Sequence, residues 1–115
     1  MSVKIYHNSN CSKCRLTMEL LEEANITPDI VEYLVSPPNK DELIEILAML
    51  DMSPRELMRS HESEYMDNNL DDESLSRDAL IDAMIRFPIL IERPIVINNG
   101  KAVIGRPPVN VKTII

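Results

Sequence analysis

The sequence predicts an α/β fold built on a four-stranded mixed sheet, with a helical insertion between the second and third strands. Three observations predict it. Residues 1–36 read as strand, helix, strand with short connections, which makes a parallel βαβ pair. Residues 37–88 carry helix start signals and helical apolar spacing. Residues 89–115 hold Asn99-Gly100 between two apolar runs, the strongest short hairpin signal, so the last two strands are antiparallel.

The elements follow in order. Val3-Lys4-Ile5-Tyr6 alternates as a strand does, then gives way to the polar turn His7-Asn8-Ser9-Asn10. Cys11-Ser12-Lys13-Cys14 opens a helix whose apolar stripe reads as Leu16, Leu20 and Ala24, with Leu21 beside it. Asn25 and Pro28 stop it, and Ile30 to Leu34 forms the second strand. Asn39 caps a helix from Lys40 to Leu50, with Glu42 as its capping-box partner, burying Leu43, Ile46, Leu47 and Leu50. Ser53-Pro54-Arg55-Glu56 starts another helix. An acidic, polar stretch covers Glu62 to Glu73. Ser76 then caps a helix holding Leu80, Ile81, Met84 and Ile85, closed by Phe87-Pro88. Ile95-Val96-Ile97 and Ala102-Val103-Ile104 are the hairpin strands, and Val109 to Ile115 is a short terminal helix. The first strand is expected centrally, beside the hairpin strand that carries Pro94. This order is the thioredoxin-like, glutaredoxin pattern with extra helices inserted.

The chain has 115 residues, enough for one domain with its own core. That domain is expected to span 1–115, with the sheet core at about 1–36 and 89–115 and the insertion at about 37–88. An apolar fraction of 44% with 27% charged residues excludes a disordered chain. Aromatics are only 3%, so Leu, Ile, Val and Met must fill the core. The N-terminus turns polar too early for a secretory signal, and no apolar run approaches the ~18 residues of a membrane helix. A cytoplasmic setting with reduced thiols and no membrane partner is therefore expected. The net charge of -7 repels nucleic-acid phosphates. It would repel a small anion too, so an anionic substrate needs a local cluster of cations.

Cys11 follows the first strand and opens the first helix, where free backbone N–H groups and the helix dipole favour thiolate over thiol. His7, at the strand end, is near enough in sequence to add positive charge or a hydrogen bond. A structural disulfide with Cys14 does not suit a reducing compartment. Zinc needs about four ligands, and besides the two cysteines only His7 and His61 are present, so no metal is expected.

Tyr6-His7-Asn8 followed by Cys11, then Leu57-Met58-Arg59, Ile91-Glu92-Arg93-Pro94-Ile95-Val96 and Gly105-Arg106-Pro107, resemble the glutaredoxin-dependent arsenate reductase family. The resemblance lies with a short-chain branch of the ArsC and Spx-like thioredoxin-fold proteins and runs over essentially the whole chain. It implies that Cys11 is the catalytic nucleophile, that His7 stands beside it, and that Arg59, Arg93 and Arg106 hold the oxyanion. It implies a cis bond before Pro94, opposite the reactive cysteine. It further implies reduction of arsenate to arsenite with glutathione as co-substrate, glutaredoxin as partner and no bound cofactor. The other arginines, Arg15, Arg55, Arg77 and Arg86, read as surface ion pairs. Cys14 departs from the family pattern, and two readings stay open for it: a resolving thiol, or an inert residue of the first helical turn. Two other functions use the same residues, an Spx-type redox-sensing regulator that binds RNA polymerase and a general thiol–disulfide oxidoreductase. His7-Asn8 and Arg106 suit an anion site and are not expected in the regulator.

Overall fold

The computed structural model describes residues 2–115; Met1, which the expected domain includes, lies outside the described residues. The chain divides into two compact units, one made of the stretch up to Ser36 together with Arg93–Ile115, the other of Pro37–Glu92.

The first unit holds β1 (Lys4–His7), α1 (Ser12–Glu23), β2 (Asp29–Glu32), β3 (Ile95–Asn98), β4 (Lys101–Ile104) and a 3-10 helix (Pro108–Thr113). The sheet order is β2-β1-β3-β4, so the first strand is central and lies beside the strand that follows Pro94. β1 runs parallel to β2, with Tyr6 opposite Val31, and antiparallel to β3, with Ile5 opposite Val96. β3 and β4 form the hairpin, and its two turn residues, Asn99 and Gly100, have φ of 54° and 75°. Positive φ at both positions is what a type I′ turn requires. Val3, Ile5 and Val96 present one face to Leu21 of α1 and Val111 of the 3-10 helix, with Met18, Ile26, Val103 and Ile114 around them.

Helix α1 turns a different stripe inward from the one its leucines suggest. Leu16 is 44% exposed and Ala24 is also exposed, whereas Cys14, Thr17 and Leu21 are fully buried. Thr17 tolerates burial because its hydroxyl donates to the Lys13 carbonyl at 2.8 Å, leaving an apolar outer surface. β2 ends earlier than expected, since the N–H groups of Val35 and Ser36 fold back onto the Glu32 carbonyl at 3.0 and 2.8 Å. The terminal helix is 3-10, with Asn110 N–H on the Pro107 carbonyl at 3.0 Å. Its β-branched Val109, Val111 and Thr113 and its Asn110 are weak α-helix formers, and short 3-10 pieces suit such a segment.

The second unit is helical: α2 (Lys40–Leu50), α3 (Pro54–Leu57), α4 (Ser63–Asp67) and α5 (Arg77–Arg86). Both expected capping boxes form, Asn39 with Glu42 and Ser53 with Glu56. α5 packs on α2 and α3 and buries Leu80, Ile81 and Met84, alongside Leu43, Ile46 and Leu47. α3 stops after one turn because the chain next pairs with residues 90–92. Arg59 N–H donates to the Leu90 carbonyl at 2.7 Å and Glu92 N–H to that of Leu57 at 2.9 Å. This pairing carries the unit past residue 88 to Glu92. The acidic stretch holds α4, an element the sequence does not signal. Arg55 orders this region: its guanidinium donates to the Tyr65 hydroxyl at 2.8 Å and to the carbonyls of Leu70 and Asp72, each at 2.6 Å. It is a backbone clamp, not the surface ion pair that sequence suggests. Among the described residues no helix is long and apolar enough to cross a membrane.

Gly105 sits where α1 meets the loop carrying Pro94. A Cβ there would lie 2.5 Å from Thr17 Oγ1 and 2.8 Å from Pro94 Cγ. Gly105→Ala should therefore destabilise the protein by about 1–3 kcal/mol, the usual cost of overpacking. The double variant with Thr17→Ala, which removes one of the two clashes, should recover part of that loss in thermal unfolding. An unchanged midpoint for the single variant would contradict the packing described.

Candidate active site

The loop between β1 and α1 is shaped by its own polar groups. Asn8 accepts the Asn10 N–H on Oδ1 and the Cys11 N–H on its carbonyl, both at 3.0 Å, an Asx turn that delivers Cys11 to the helix start. Arg15 reaches back to the Ser9 carbonyl at 3.3 Å and braces this loop, and it joins no ion pair among the described residues. Cys11 is the N-cap of α1, with extended backbone (φ −102°, ψ 123°). The first turn of α1 contains no acidic residue, so no carboxylate of that turn offsets the positive end of the helix.

Two guanidinium groups of the same unit converge on the Cys11 sulfur. Arg106 Nη2 lies 3.5 Å from Sγ, and its Nε donates to the Arg93 carbonyl at 2.7 Å. Arg93 itself hydrogen-bonds Cys11 through its side chain. The Arg93–Pro94 and Arg106–Pro107 bonds are both cis. Asn110 holds the second of these loops by donating to the carbonyls of Ile104 and Arg106 at 3.3 and 3.2 Å. Burial alone would ease the proton off Arg93, but Tyr33 and both cysteines favour its charge and raise it above its ordinary value.

The two thiols respond in opposite directions. Burial would push Cys11 up, but the N–H groups of Cys14 and Lys13, the Cys14 S–H and the Arg93 guanidinium outweigh it. The Cys11 thiol comes down from its ordinary 9.0 to about 7. Cys14 is pushed up to about 12, first by burial and then by the hydrogen bond and charge of Cys11, against the Asn8 N–H and the Arg93 charge. Cys14 has no exposed surface, whereas Cys11 keeps 7%. Both are free thiols.

The other expected site residues are placed as follows. His7 closes β1 and is 8% exposed, with its Nδ1 buried and lacking a hydrogen-bond partner among the described residues. The Cys11 thiol is brought down by Cys14, Arg93 and Lys13. Arg59 belongs to the second unit. Its Nη1 pairs with Glu92 at 3.1 Å and its Nη2 with Glu62 at 3.2 Å, and Nη2 is 3.0 Å from His61 Nε2. Arg86 stacks over the Phe87 ring at 5.3 Å. No cluster of three or more His, Cys, Asp or Glu fit for a metal occurs among the described residues.

Tyr33, Thr17 and Asn110 support the site without having been singled out in the sequence. Asn110 carried a signal, since an Asn shortly after a proline pair is a frequent maker of side chain–backbone bonds. Tyr33 and Thr17 carried none, because only the sheet order and the depth of α1 bring them near Arg93 and Pro94.

The sequence pattern of the ArsC family matches residues 6–114. An uncharacterised Escherichia coli protein is 53% identical to the chain over 98% of its length and 96% of that protein's. The arsenate reductase of Neisseria meningitidis is 43% identical, with coverage of 98% and 97%. A solved arsenate reductase from Vibrio cholerae superposes with a TM-score of 0.97 at 47% identity, covering 100% of this chain and 98% of that one.

Alkylation by iodoacetamide should modify Cys11 with a rate that rises through an inflection near pH 7. Arg93→Ala should move that inflection upward. The linkage to stability has a definite sign, because the folded value lies below the unfolded one: the contribution is full above about 9.0 and fades as pH falls to about 7. Cys11→Ser should therefore narrow the stability difference between pH 9.5 and pH 6 in urea unfolding. An inflection at the ordinary thiol value would contradict the cationic environment.

Proposed function

The chain belongs to the ArsC family, and from that premise we propose that it is an arsenate reductase that works through a covalent adduct on Cys11. The observation that carries the reading is the pair of guanidinium groups at a sulfur on a helix N-terminus, with Arg106 Nη2 3.5 Å from Cys11 Sγ. A thiolate and an oxyanion repel each other, and they can meet only where fixed cations offset both charges. In a chain of net charge -7 that offset has to be local. The same arrangement favours the enzyme over a regulator or a general oxidoreductase, neither of which needs a cationic seat for a small anion.

The chemistry follows from the parts. The Cys11 thiolate attacks arsenic and water leaves, with Arg93 and Arg106 gripping oxygens through their planar forks. Glutathione then bonds to the Cys11 sulfur, arsenic departs as arsenite with the electron pair, and glutaredoxin clears the mixed disulfide. No bound cofactor enters, and a reducing cytoplasm supplies the thiols. His7 is the family's histidine beside the nucleophile, buried at the end of β1. Arg59 enters through the family pattern, and to join an oxyanion its guanidinium must exchange Glu62 and Glu92 for substrate oxygens.

The test is arsenate-dependent NADPH oxidation coupled to glutathione, glutaredoxin and glutathione reductase. Wild type should turn over and Cys11→Ser should not. Arg106→Lys keeps the charge but loses the fork, so its rate should fall, and Arg106→Ala should fall further. Loss of a charge-assisted hydrogen bond is worth about 1.5–3 kcal/mol, roughly ten- to a hundredfold in rate. Arg77→Ala, on the exposed start of α5, is the control and should change little. Wild-type oxidation that does not depend on arsenate would sink the reading.

A further inference from the structure

We propose that Cys14 is a second redox thiol, which displaces arsenic from Cys11 from inside the fold and lets the reduced chain convert one equivalent of arsenate without any external thiol. The inference rests on the arsenate reading above and adds to it the source of the electrons.

The geometry carries it. Cys11 is the N-cap of α1 and Cys14 the third residue of its first turn, and the two thiols lie within hydrogen-bonding reach of each other. Cys11 retains a little solvent exposure while Cys14 has none. An oxyanion can reach the Cys11 sulfur only from the solvent side, so the S–As bond points outward. Displacement at sulfur puts attacker and leaving group on opposite sides, and the inner side is where Cys14 lies. The reaction is intramolecular, so this thiol competes with glutathione at a high effective concentration.

The resting state keeps Cys14 protonated, and adduct formation removes two of the reasons. The thiolate charge of Cys11 and its demand on the Cys14 S–H both raise Cys14; bonding Cys11 to arsenic removes them. The Asn8 N–H and the Arg93 charge still pull Cys14 down, against burial. The step then balances. The Cys14 proton passes to an arsenic-bound oxygen, an S–S bond forms between Cys14 and Cys11, and the S–As bond breaks with its electron pair left on arsenic. Arsenic goes from the +5 to the +3 state and leaves as arsenite, while two thiols become one disulfide. A dithiol reductant, protein or small molecule, must then restore the pair by attacking the Cys11 sulfur, since Cys14 is covered.

The experiment is a single turnover. The full chain is reduced with dithiothreitol, freed of it, and mixed anaerobically with excess arsenate; arsenite and remaining thiols are counted. Wild type should give one arsenite per chain and lose both thiols, with peptide mass spectrometry locating a Cys11–Cys14 disulfide. Cys14→Ser should give no arsenite under these conditions, and added glutathione should restore some arsenite formation through the slower external route. The proposal falls if wild type needs an external thiol for any arsenite, or if Cys14→Ser yields as much as wild type. Absence of arsenate reduction with every reductant would instead strike the arsenate reading. In that case titration in dithiothreitol redox buffers still decides the thiol pair: loss of both thiols in one step to an internal disulfide upholds it. Oxidation of Cys11 alone, or a disulfide between two chains, overturns it.

Discussion

One side chain ties the site together: the Arg106 guanidinium bridges the Arg93 carbonyl at 2.7 Å and the Cys11 sulfur at 3.5 Å. Cys11 as a residue is 7% exposed, and a charge on so covered a side chain is costly unless something replaces its solvation. The replacements come from three places in the sequence. The start of α1 supplies N–H groups and the Cys14 S–H, the segment just before β3 supplies Arg93, and the segment just after β4 supplies Arg106. The sheet order is what brings them together, because β3 lies directly beside β1. Gly105 and Thr17 then let the Pro94 loop approach α1 closely. The fold serves the thiolate in this concrete sense: the strand order and the missing Cβ both act through the distance from Cys11 to its cations.

Much of this was legible in the residues. Asn99-Gly100 named its own turn, and Asn39/Glu42 and Ser53/Glu56 named their capping boxes, because those signals act within four residues. Cys11 was legible as a helix-start thiol for the same reason. What failed were readings that depend on long-range packing. Leucine spacing pointed to Leu16 as a core residue, but the register fixed by Cys11 turned Cys14 and Thr17 inward. Arg55 looked like a surface charge, and its real partners are carbonyls at Leu70 and Asp72, well downstream. Helix α4 has no apolar stripe to announce it, and none of its residues is buried. His7 stands at the strand end, as its place in the sequence predicts.

The two cysteines show how one turn of helix can give a pair of identical side chains opposite character. Three residues apart, one faces a helix terminus and guanidinium groups, the other a closed interior. The thiolate charge favoured at Cys11 is part of what pushes Cys14 up, so neither thiol can be understood alone. Such coupling links the protonation of the two thiols. It also explains why a pattern match alone says little about Cys14, whose behaviour follows from its neighbours.

Whether thiolate and oxyanion share one cationic seat is decided by a crystal structure of the Cys11→Ser variant soaked with arsenate. Arg93 and Arg106 should each contact arsenate oxygens, with arsenic facing the introduced hydroxyl that stands in for the sulfur. An arsenate bound elsewhere, or guanidinium groups turned away from that hydroxyl, would rule out a shared seat.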